Sequence, residues 1–365
     1  MIVKQLTCNG FRNFTELAFE PTSGMNVIYG DNAQGKTNLL EAIWLFCGAK
    51  SFRGAKDAEL KGFGIEKAVN TCDFIFGEVE KQAKIIIEEK RKAELSGKPL
   101  SSASKLAGNF YAIVFSPSDL ILVNDGPAVR RRFLDTAIGQ IYPLYNEKLR
   151  AYIKAVTQRN TILRDMKMHP DLELLLDDFE ASLAVLIGEI LKYRLRYVEI
   201  LREAVPELYG GISGEKEVLD ISYASKIPAD SKTEEIISFL KAARKEDVFT
   251  GNTSVGPHRD DLDLYLNGTR LKSFGSQGQR RSVALTLKLS EARVLKKITG
   301  EYPVALLDDV MSELDQKRQD FILNHIRDWQ VFITCCDPDN IKGLKKGAVY
   351  QMKGGKFCDI KVQTV

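Results

Sequence analysis

Gly30-Asp-Asn-Ala-Gln-Gly35-Lys36-Thr37 decides the fold, because this run fits the pattern G-x-x-x-x-G-K-[ST] of a phosphate-binding loop. Glycines let backbone N–H groups turn inward around phosphate oxygens, and a following helix adds the positive end of its dipole. The sequence predicts both flanks, an apolar strand at Met25–Tyr29 and a helix at Asn38–Phe46. We therefore expect Lys36 to reach the β- and γ-phosphates of a nucleotide and Thr37 to bind Mg²⁺.

Val304-Ala-Leu-Leu-Asp308-Asp309 supplies the carboxylates that such a loop requires on its metal side, because an apolar strand here ends in two acids. We expect Asp308 to hold Mg²⁺ through water. Asp309 is expected to polarise the attacking water, which makes Asp309 and Lys36 the predicted catalytic residues. Taken alone, the segment would be read as a strand end with two solvated acids, but its pairing with the glycine loop favours a nucleotide site.

Ser276-Gln-Gly278-Gln279-Arg-Arg-Ser282 predicts a second anion-binding turn, since a Ser and a Gly open a helix here. One nucleotide does not need two such turns from one chain. Two chains that face each other do, with the second turn of one capping the γ-phosphate on the other. The alternative is an ordinary serine at a helix N-terminus.

Composition bounds the class of protein. The chain has 365 residues, of which 44% are hydrophobic and 28% charged, as expected for a globular protein of two or three domains or one bipartite unit. Lys and Arg total 52 against 49 acids, so the net charge of +3 excludes a uniformly basic protein but not a local basic face. Six cysteines without a C-x-x-C pair predict free thiols and no zinc site. We see no signal peptide or membrane span and expect a cytoplasmic protein.

The distribution of glycine and apolar residues predicts the organisation. Only two of the 27 glycines fall between Pro127 and Tyr209, and apolar residues recur there at helical spacing without sustained heptads. We expect several helices, with Pro143, Pro170 and Pro206 at their starts or stops. Strands are predicted elsewhere, at residues 2–6, 17–19, 72–90, 262–266, 304–307 and 331–334, with a pair in 348–365.

These predictions combine into an α/β ATPase with a mixed sheet and a mainly helical second lobe without long coiled coil. The predicted ATP-binding lobe comprises residues 1–120 and 300–365, and the predicted helical lobe comprises residues 121–299 and carries the segment at Ser276.

At this point the sequence resembles the ABC-type ATPases of the SMC branch, and within them the RecF family of bacterial recombination mediators. Gly30–Asn38, Ser276–Gln279 and Asp308–Asp315 look like the Walker A, signature and Walker B/D-loop motifs. Five further segments resemble the family: Asn9–Phe14, Gly35–Ile43, Phe115–Leu120, Gly126–Asp135 and Gly256–Leu262. The resemblance spans residues 1 to about 340.

The resemblance implies an ATP-dependent homodimer that sandwiches ATP and clamps single- and double-stranded DNA or gap junctions. It implies RecR, RecO and RecA as partners in recombinational repair, DNA replication and the SOS response, and a weak, DNA-stimulated ATPase that acts as a switch. The residues implied to bind ATP are Arg12, Asn13, Gly30, Asp31, Asn32, Ala33, Gln34, Gly35, Lys36, Thr37 and Asn38. Those implied to contact the ATP of the partner are Ser276, Gly278, Gln279, Ser312 and Asp315.

The chain also departs from the usual ABC pattern. Asp309 stands where most ABC ATPases have Glu, and its shorter side chain predicts slow hydrolysis that drives release. The segment Thr334-Cys-Cys-Asp337 stands where the switch His is usual, which leaves Thr334 and Asp337 as candidate γ-phosphate sensors.

DNA binding requires Lys and Arg on one surface rather than a high total. The candidate DNA-binding residues are Arg53, Lys56, Arg130, Arg131 and Arg132. A further candidate is the helix face with Lys148, Arg150, Lys154, Arg159 and Arg164. For each cluster the alternative is a solvated helix face or ion pairs within the fold. Two other functions stay open, an SMC-like ATPase head in another DNA transaction and a small-molecule P-loop kinase, which would need no signature segment.

Overall fold

The computed structural model describes residues 1–166, 168–337 and 347–363. It divides into two compact units: Met1–Ile121 with Glu207–Glu217 and Ser276–Val365, and Leu122–Pro206 with Val218–Gly275. The predicted lobes differ from these units at Ile121, Glu207–Glu217 and Ser276–Thr299, so the signature segment lies in the unit that carries the glycine loop. Residues 338–346, 364 and 365 of the predicted ATP-binding lobe lie outside the described residues.

The first unit contains a six-stranded antiparallel sheet in the order β2-β1-β4-β5-β6-β7. Its strands are β1 (Ile2–Phe11), β2 (Phe14–Phe19), β4 (Ala68–Phe76), β5 (Val79–Ile87), β6 (Arg91–Leu95) and β7 (Lys98–Leu100). Side chains alternate along β4 between buried and half-buried positions, as a sheet with one face on a core requires. The predicted antiparallel pair in residues 72–90 is thereby confirmed.

A second, mixed sheet of the first unit has the order β15-β14-β3-β13-β12-β8. It comprises β3 (Met25–Tyr29), β8 (Ala112–Phe115), β12 (Val304–Asp308), β13 (Val331–Cys335), β14 (Gly347–Lys353) and β15 (Lys356–Gln363). The strands from β14 to β8 are parallel, and β15 is antiparallel to β14. Every residue of β12 and β13 is buried, which explains their continuous apolar runs.

Helix α1 (Lys36–Trp44) shares one hydrophobic core with side chains of both sheets. Leu39, Leu40 and Ile43 of this helix are fully buried, which is worth roughly 1.5–3 kcal/mol each by removal from water. The unit also holds α7 (Gln277–Thr299) and α8 (Gln316–His325). Because α1 starts at the glycine loop and packs in the core, the loop is fixed to the rigid centre of the unit.

The second unit is mainly helical, as predicted, and includes the small antiparallel sheet β11-β10-β9. The strands are β9 (Leu219–Ala224), β10 (Asp261–Leu266) and β11 (Thr269–Arg270), with the predicted turn at Asn267-Gly268. The helices are α2 (Pro127–Ile141), α3 (Pro143–Asp165), α4 (Glu173–Ser213), α5 (Thr233–Thr250) and the short α6 (Leu271–Phe274). The last turns of α4 belong to the first unit.

One predicted helix boundary is wrong. Pro143 is the first residue of α3 and the turn at Pro170–Leu172 precedes α4, but Pro206 lies inside α4. A proline inside a helix loses one backbone hydrogen bond and costs about 3 kcal/mol. Because Leu201, Val205, Leu208 and Tyr209 on either side of it are buried, packing offsets this cost.

None of the helices in the described parts of the chain is both long and apolar enough to cross a membrane.

Candidate nucleotide site

The glycine loop lies between β3 and α1, at the carboxyl end of the parallel strands, as the sequence predicts. Gly35 caps α1 with a φ of 110°, a left-handed conformation that favours glycine. Gly30 has a φ of 151°, and a Cβ there would lie 2.3 Å from the carbonyl oxygen of Met352. Side chains at these positions are therefore excluded by backbone geometry at Gly35 and by close approach of β14 at Gly30.

The turn between β14 and β15 braces the outside of the loop. The N–H of Gly354 donates to Gln34 Oε1 at 2.6 Å, and the N–H of Gly355 donates to the Gln34 carbonyl at 3.0 Å. Asn13 Nδ2 donates to the same carbonyl at 3.1 Å. Gln34 thus ties the loop to the β14–β15 turn and to Asn13, and its Nε2 also donates to the Asn32 carbonyl at 3.5 Å, contacts that the loop pattern alone does not reveal.

Lys36 is 8% exposed, and its ammonium lies within the curve of the loop. Its Nζ donates to the carbonyls of Gly30 at 2.6 Å and Asp31 at 2.9 Å. Phosphate oxygens can replace these neutral acceptors and form stronger, charge-assisted hydrogen bonds. The structure therefore places Lys36 where the sequence predicts a phosphate contact.

The hydroxyl of Thr37 and the carboxylate of Asp308 meet across 271 residues of sequence. Thr37 Oγ1 donates to Asp308 Oδ1 at 2.8 Å, and Thr334 Oγ1 donates to the same oxygen at 2.9 Å. Burial raises the pKa of Asp308 above its ordinary value, while the two hydroxyls oppose that rise. A desolvated carboxylate of this kind gains from a nearby cation.

The donor set suits Mg²⁺, which prefers oxygen ligands and keeps several waters. Thr37 Oγ1 can give its proton to Asp308 and keep lone pairs for the metal. When bound, Mg²⁺ would supply charge neutralisation at the β- and γ-phosphates. Thr37 would then be the direct ligand and Asp308 the residue that holds a metal-bound water.

Asp309 follows the strand end and has an unusual backbone, with a φ of 51°. Its N–H donates to Thr334 Oγ1 at 2.9 Å. Burial raises the pKa of Asp309, and nearby Lys36 counteracts this rise. A carboxylate with a raised pKa is a better proton acceptor for an attacking water than a fully solvated one, which fits the predicted role.

Arg12 and Asn13 reach this region from the turn between β1 and β2. Arg12 Nε and Nη2 donate to the two carboxylate oxygens of Glu41 at 2.8 and 3.1 Å. Glu41 is fully buried on α1 and is a residue that the sequence analysis missed; its place four residues after Thr37 in a buried helix was the available signal. Asn13 Oδ1 accepts from Asn38 Nδ2 at 2.8 Å, so both predicted nucleotide contacts border the loop.

The signature segment is at the start of α7, with Ser276 exposed as its cap. Ser276 Oγ accepts from the Gln279 N–H at 3.2 Å, and the Ser276 N–H donates to Gln279 Oε1 at 2.7 Å. Gln279 Nε2 also donates to Glu217 Oε1 at 2.6 Å. This reciprocal cap satisfies backbone groups at the helix start, so Ser276 is an ordinary helix N-cap within the chain. Because Ser276 is also exposed, a second chain could still reach it.

The predicted D-loop residues lie against the same helix start. Ser312 Oγ donates to the Asp309 carbonyl at 2.7 Å, and Asp315 caps α8 by accepting from the Arg318 N–H at 3.0 Å. Arg318 then donates to the Gly278 carbonyl and to Ser282 Oγ, each at 3.0 Å. A cavity of about 380 Å³ opens beside these residues. The structure thus joins the signature and D-loop segments through Arg318, a residue that no sequence motif singles out.

The two candidate γ-phosphate sensors differ in position. Thr334 is 1% exposed, and its hydroxyl is engaged by Asp308 and Asp309. Asp337 is exposed. The structure therefore assigns Thr334 to the carboxylates.

The predicted DNA-binding residues fall into an exposed and a buried group. Arg53 and Lys56 lie in an exposed loop of the first unit, and Arg53 Nη1 donates to Asn38 Oδ1 at 3.0 Å. Arg130 is 4% exposed and forms a two-pronged ion pair with Asp261 at 2.7 and 2.8 Å. The structure does not place Arg130 where DNA phosphates could reach it, because its guanidinium is committed inside the second unit.

The neighbours of Arg130 differ from it. Arg131 is half-buried and donates to the Asp260 carbonyl at 2.8 Å, whereas Arg132 is exposed. Arg159, from the predicted basic face of α3, is fully buried between Glu180 and Asp247, and Lys148 pairs with Glu189 at 2.9 Å. Two of the five residues of the basic face expected on α3 are therefore paired with acids inside the fold.

Comparisons with known proteins identify relatives of this chain. The sequence model of the family described as RecF/RecN/SMC N terminal domain matches residues 2–356. A DNA replication and repair protein RecF from Ruminiclostridium cellulolyticum is 38% identical over 355 residues, covering 94% of this chain and 95% of that protein.

Two solved structures are similar along the whole chain. The structure of the recombination mediator protein RecF-ATPrS in the RecFOR pathway has a TM-score of 0.91 at 34% identity and covers 97% of each chain. The corresponding RecF-ATP structure has a TM-score of 0.89 at 34% identity, covering 100% of this chain and 98% of that one. The predicted fold, an α/β ATPase head of ABC/SMC type with a mixed sheet and a mainly helical second part, is confirmed.

Proposed function

The chain belongs to the RecF family within the RecF/RecN/SMC group, and on that premise we propose that it is an ATP-dependent DNA-binding protein that dimerises on ATP and clamps DNA. One observation carries the proposal: the same unit holds a formed phosphate loop with its carboxylates and an accessible signature segment. A chain with both halves of a sandwich can complete the site of a second copy.

ATP closes this dimer in the proposed cycle. Lys36 and the loop amides bind the phosphates, and Thr37 with Asp308 holds Mg²⁺. Ser276, Gly278 and Gln279 of the partner cap the γ-phosphate, while Ser312 and Asp315 link the two sites. Asp309 orients the attacking water, and hydrolysis is slow because this carboxylate is one methylene shorter than Glu, so the hydrolysis step times the release of DNA.

DNA recognition is proposed to rest on phosphate contacts from the exposed loop with Arg53 and Lys56 of the first unit. Arg131 and Arg132 of the second unit are separate candidates for such contacts. Such contacts read charge rather than sequence and suit single strands, duplexes and gap junctions alike. RecF relatives are named as DNA replication and repair proteins and as a mediator in the RecFOR pathway. We therefore propose RecR and RecO as partners, RecA loading and the SOS response as the setting, and the cytoplasm as the location.

The mass of the protein in solution tests the dimer. We expect a monomer without nucleotide and a dimer with ATP and Mg²⁺. Ser276→Arg places a bulky cation on the exposed cap and should abolish the ATP-dependent dimer while leaving ATP binding by the monomer unchanged. Ser101→Arg, at another exposed serine of the same unit, is the matched control and should dimerise normally.

Two results would contradict the clamp. A Ser276→Arg variant that dimerises with ATP like the control excludes the sandwich arrangement, and a wild type that binds ATP and stays monomeric favours the small-molecule kinase instead. DNA binding should require ATP and weaken steeply between about 50 and 200 mM salt, as a site built on phosphate contacts must.

A further inference from the structure

Thr334 lies at the carboxyl end of β13, where the parallel register places it directly beside Asp308 of β12. The two strands pair from Ala305 with Val331 to Asp308 with Thr334. The side chain of Thr334 therefore reaches the carboxylate of Asp308 directly from the neighbouring strand. Thr334 is also 1% exposed, so it is not a solvent-facing group.

The hydroxyl of Thr334 makes two short hydrogen bonds, and the Leu307 carbonyl lies farther away, at 3.5 Å. The hydroxyl oxygen accepts from the N–H of Asp309 at 2.9 Å, and the hydroxyl donates its single proton to Asp308 Oδ1 at 2.9 Å. A hydroxyl has one proton to give. With that proton on Asp308, none is left for a phosphate oxygen.

These two bonds restrict the backbone of Asp309 and the rotation of the Asp308 carboxylate. Asp309 has a φ of 51°, a left-handed conformation that a residue other than glycine adopts only at a cost, and the bond to its N–H stabilises it there. Asp308 receives Thr37 and Thr334 on the same oxygen, Oδ1. Among the described residues no hydrogen bond reaches its second oxygen, Oδ2, which leaves that oxygen available for a metal-bound water.

We propose that Thr334 is a positioning residue of the Mg²⁺–ATP site: one hydroxyl sets the orientation of the metal-side carboxylate and the backbone of the water-activating one. This rests on the proposed function in so far as Asp308 and Asp309 serve ATP. Residues that orient a metal-holding group commonly matter about 10- to 100-fold for metal affinity.

The test compares Thr334→Ser with Thr334→Ala, two variants that lose the same methyl group and differ only by the hydroxyl. The readout is the dissociation constant of a fluorescent ATP, measured with EDTA and with excess Mg²⁺. The serine variant should keep the Mg²⁺-dependent gain of the wild type, and the alanine variant should lose about 10- to 100-fold of it. Without Mg²⁺, both should bind like the wild type, since Lys36 and the loop are untouched.

Thr286→Ala is the matched control. Thr286 is fully buried in the same unit, and its hydroxyl donates to the Ser282 carbonyl at 2.9 Å, as an ordinary structural hydroxyl. Its removal should leave the Mg²⁺ gain unchanged. Where Thr334→Ala lowers the melting temperature so far that ATP binding in EDTA is lost, Thr334→Val, which keeps the volume and lacks the hydroxyl, is compared with the wild type instead.

Three outcomes overturn the inference. The alanine variant keeps the full Mg²⁺ gain; the serine variant fails as badly as the alanine variant, so that the methyl matters; or the alanine variant loses only its discrimination of ATP from ADP in EDTA, as a γ-phosphate contact would require. A wild type that gains from Mg²⁺ but never dimerises contradicts the clamp and leaves the role of Thr334 intact.

Discussion

The basic loop around Arg53 and the arginine run at Arg130–Arg132 look alike in sequence and are opposites in the structure. Arg53 and Lys56 are exposed, whereas Arg130 forms a two-pronged pair with Asp261 and also donates to the Asp125 carbonyl at 2.7 Å. Arg159 is more extreme, with its guanidinium and both carboxylate partners fully buried. Clustered positive charge therefore faces solvent in one region and forms internal ion pairs in the other.

The largest expected effect is a loss of folding stability when the buried Arg159 is replaced. Arg159→Met leaves Asp247 buried without its guanidinium, and Glu180 keeps only Arg244. Loss of one partner of a buried pair costs about 3–5 kcal/mol, so we expect the unfolding midpoint in denaturant to fall sharply. Arg196→Met, on an exposed position of α4, is the control and should stay within about 0.5 kcal/mol of the wild type. Equal stability of the two variants would contradict a stabilising role for the buried ion pairs of Arg159.

Arg130→Met tests whether Arg130 contributes to stability or to DNA binding. Because the carboxylate of Asp261 is more exposed than that of Asp247, we expect a smaller loss of stability, about 2–3 kcal/mol. DNA affinity below the melting temperature should not change. Parallel denaturation and DNA titration check this, and a variant of normal stability with weakened DNA binding would return Arg130 to the DNA surface.

Lys56→Gln addresses the exposed side. If Lys56 neutralises one phosphate, the slope of log affinity against log salt should fall by about 0.9 and the affinity at low salt by several-fold, with no change in stability. The measurement is DNA binding by fluorescence anisotropy in the presence of ATP at several salt concentrations. Lys90→Gln, an exposed lysine outside the loop, is the control. An unchanged slope for Lys56→Gln would exclude this lysine from the phosphate contacts.

The smallest effect concerns pH and the polar interior of the second unit. His258 Nε2 lies 2.9 Å from the Thr253 carbonyl, which can only accept, so Nε2 carries the proton and Nδ1 accepts from Tyr152. Burial lowers the pKa of His258 below its ordinary value.

The sign of the pH effect follows from this direction. The unfolded chain binds the His258 proton more readily than the folded one, so the stability contributed by His258 is present above the ordinary pKa and declines as pH falls below about 6.5. We expect up to about 1 kcal/mol less stability at pH 5.5 than at pH 6.5 from this residue. Thermal melts of the wild type and His258→Gln across this range measure it, and parallel pH curves for the two would contradict the assignment.

The sequence by itself determined the features whose chemistry is local. The glycine loop is one contiguous string, its strand and helix adjoin it, and the acids Asp308 and Asp309 follow directly on an apolar strand. Period and turn residues also predicted the strands at Met25–Tyr29 and Val304–Asp308 closely. The strand and helix predictions succeed because the conformation of the glycine loop and of the elements beside it depends on neighbours in the chain.

Only the tertiary structure decided which groups work together and which are buried. Thr334 is assigned by the register of two parallel strands, which brings it to a carboxylate 26 residues away. The fate of Arg130 depends on an aspartate 131 residues away, and that of Arg159 on two acids in other helices. Pro206 remains helical because its neighbours are packed. Burial and ion pairing are properties of the folded neighbourhood, so no local pattern could have separated the arginines that face solvent from those that stabilise the interior.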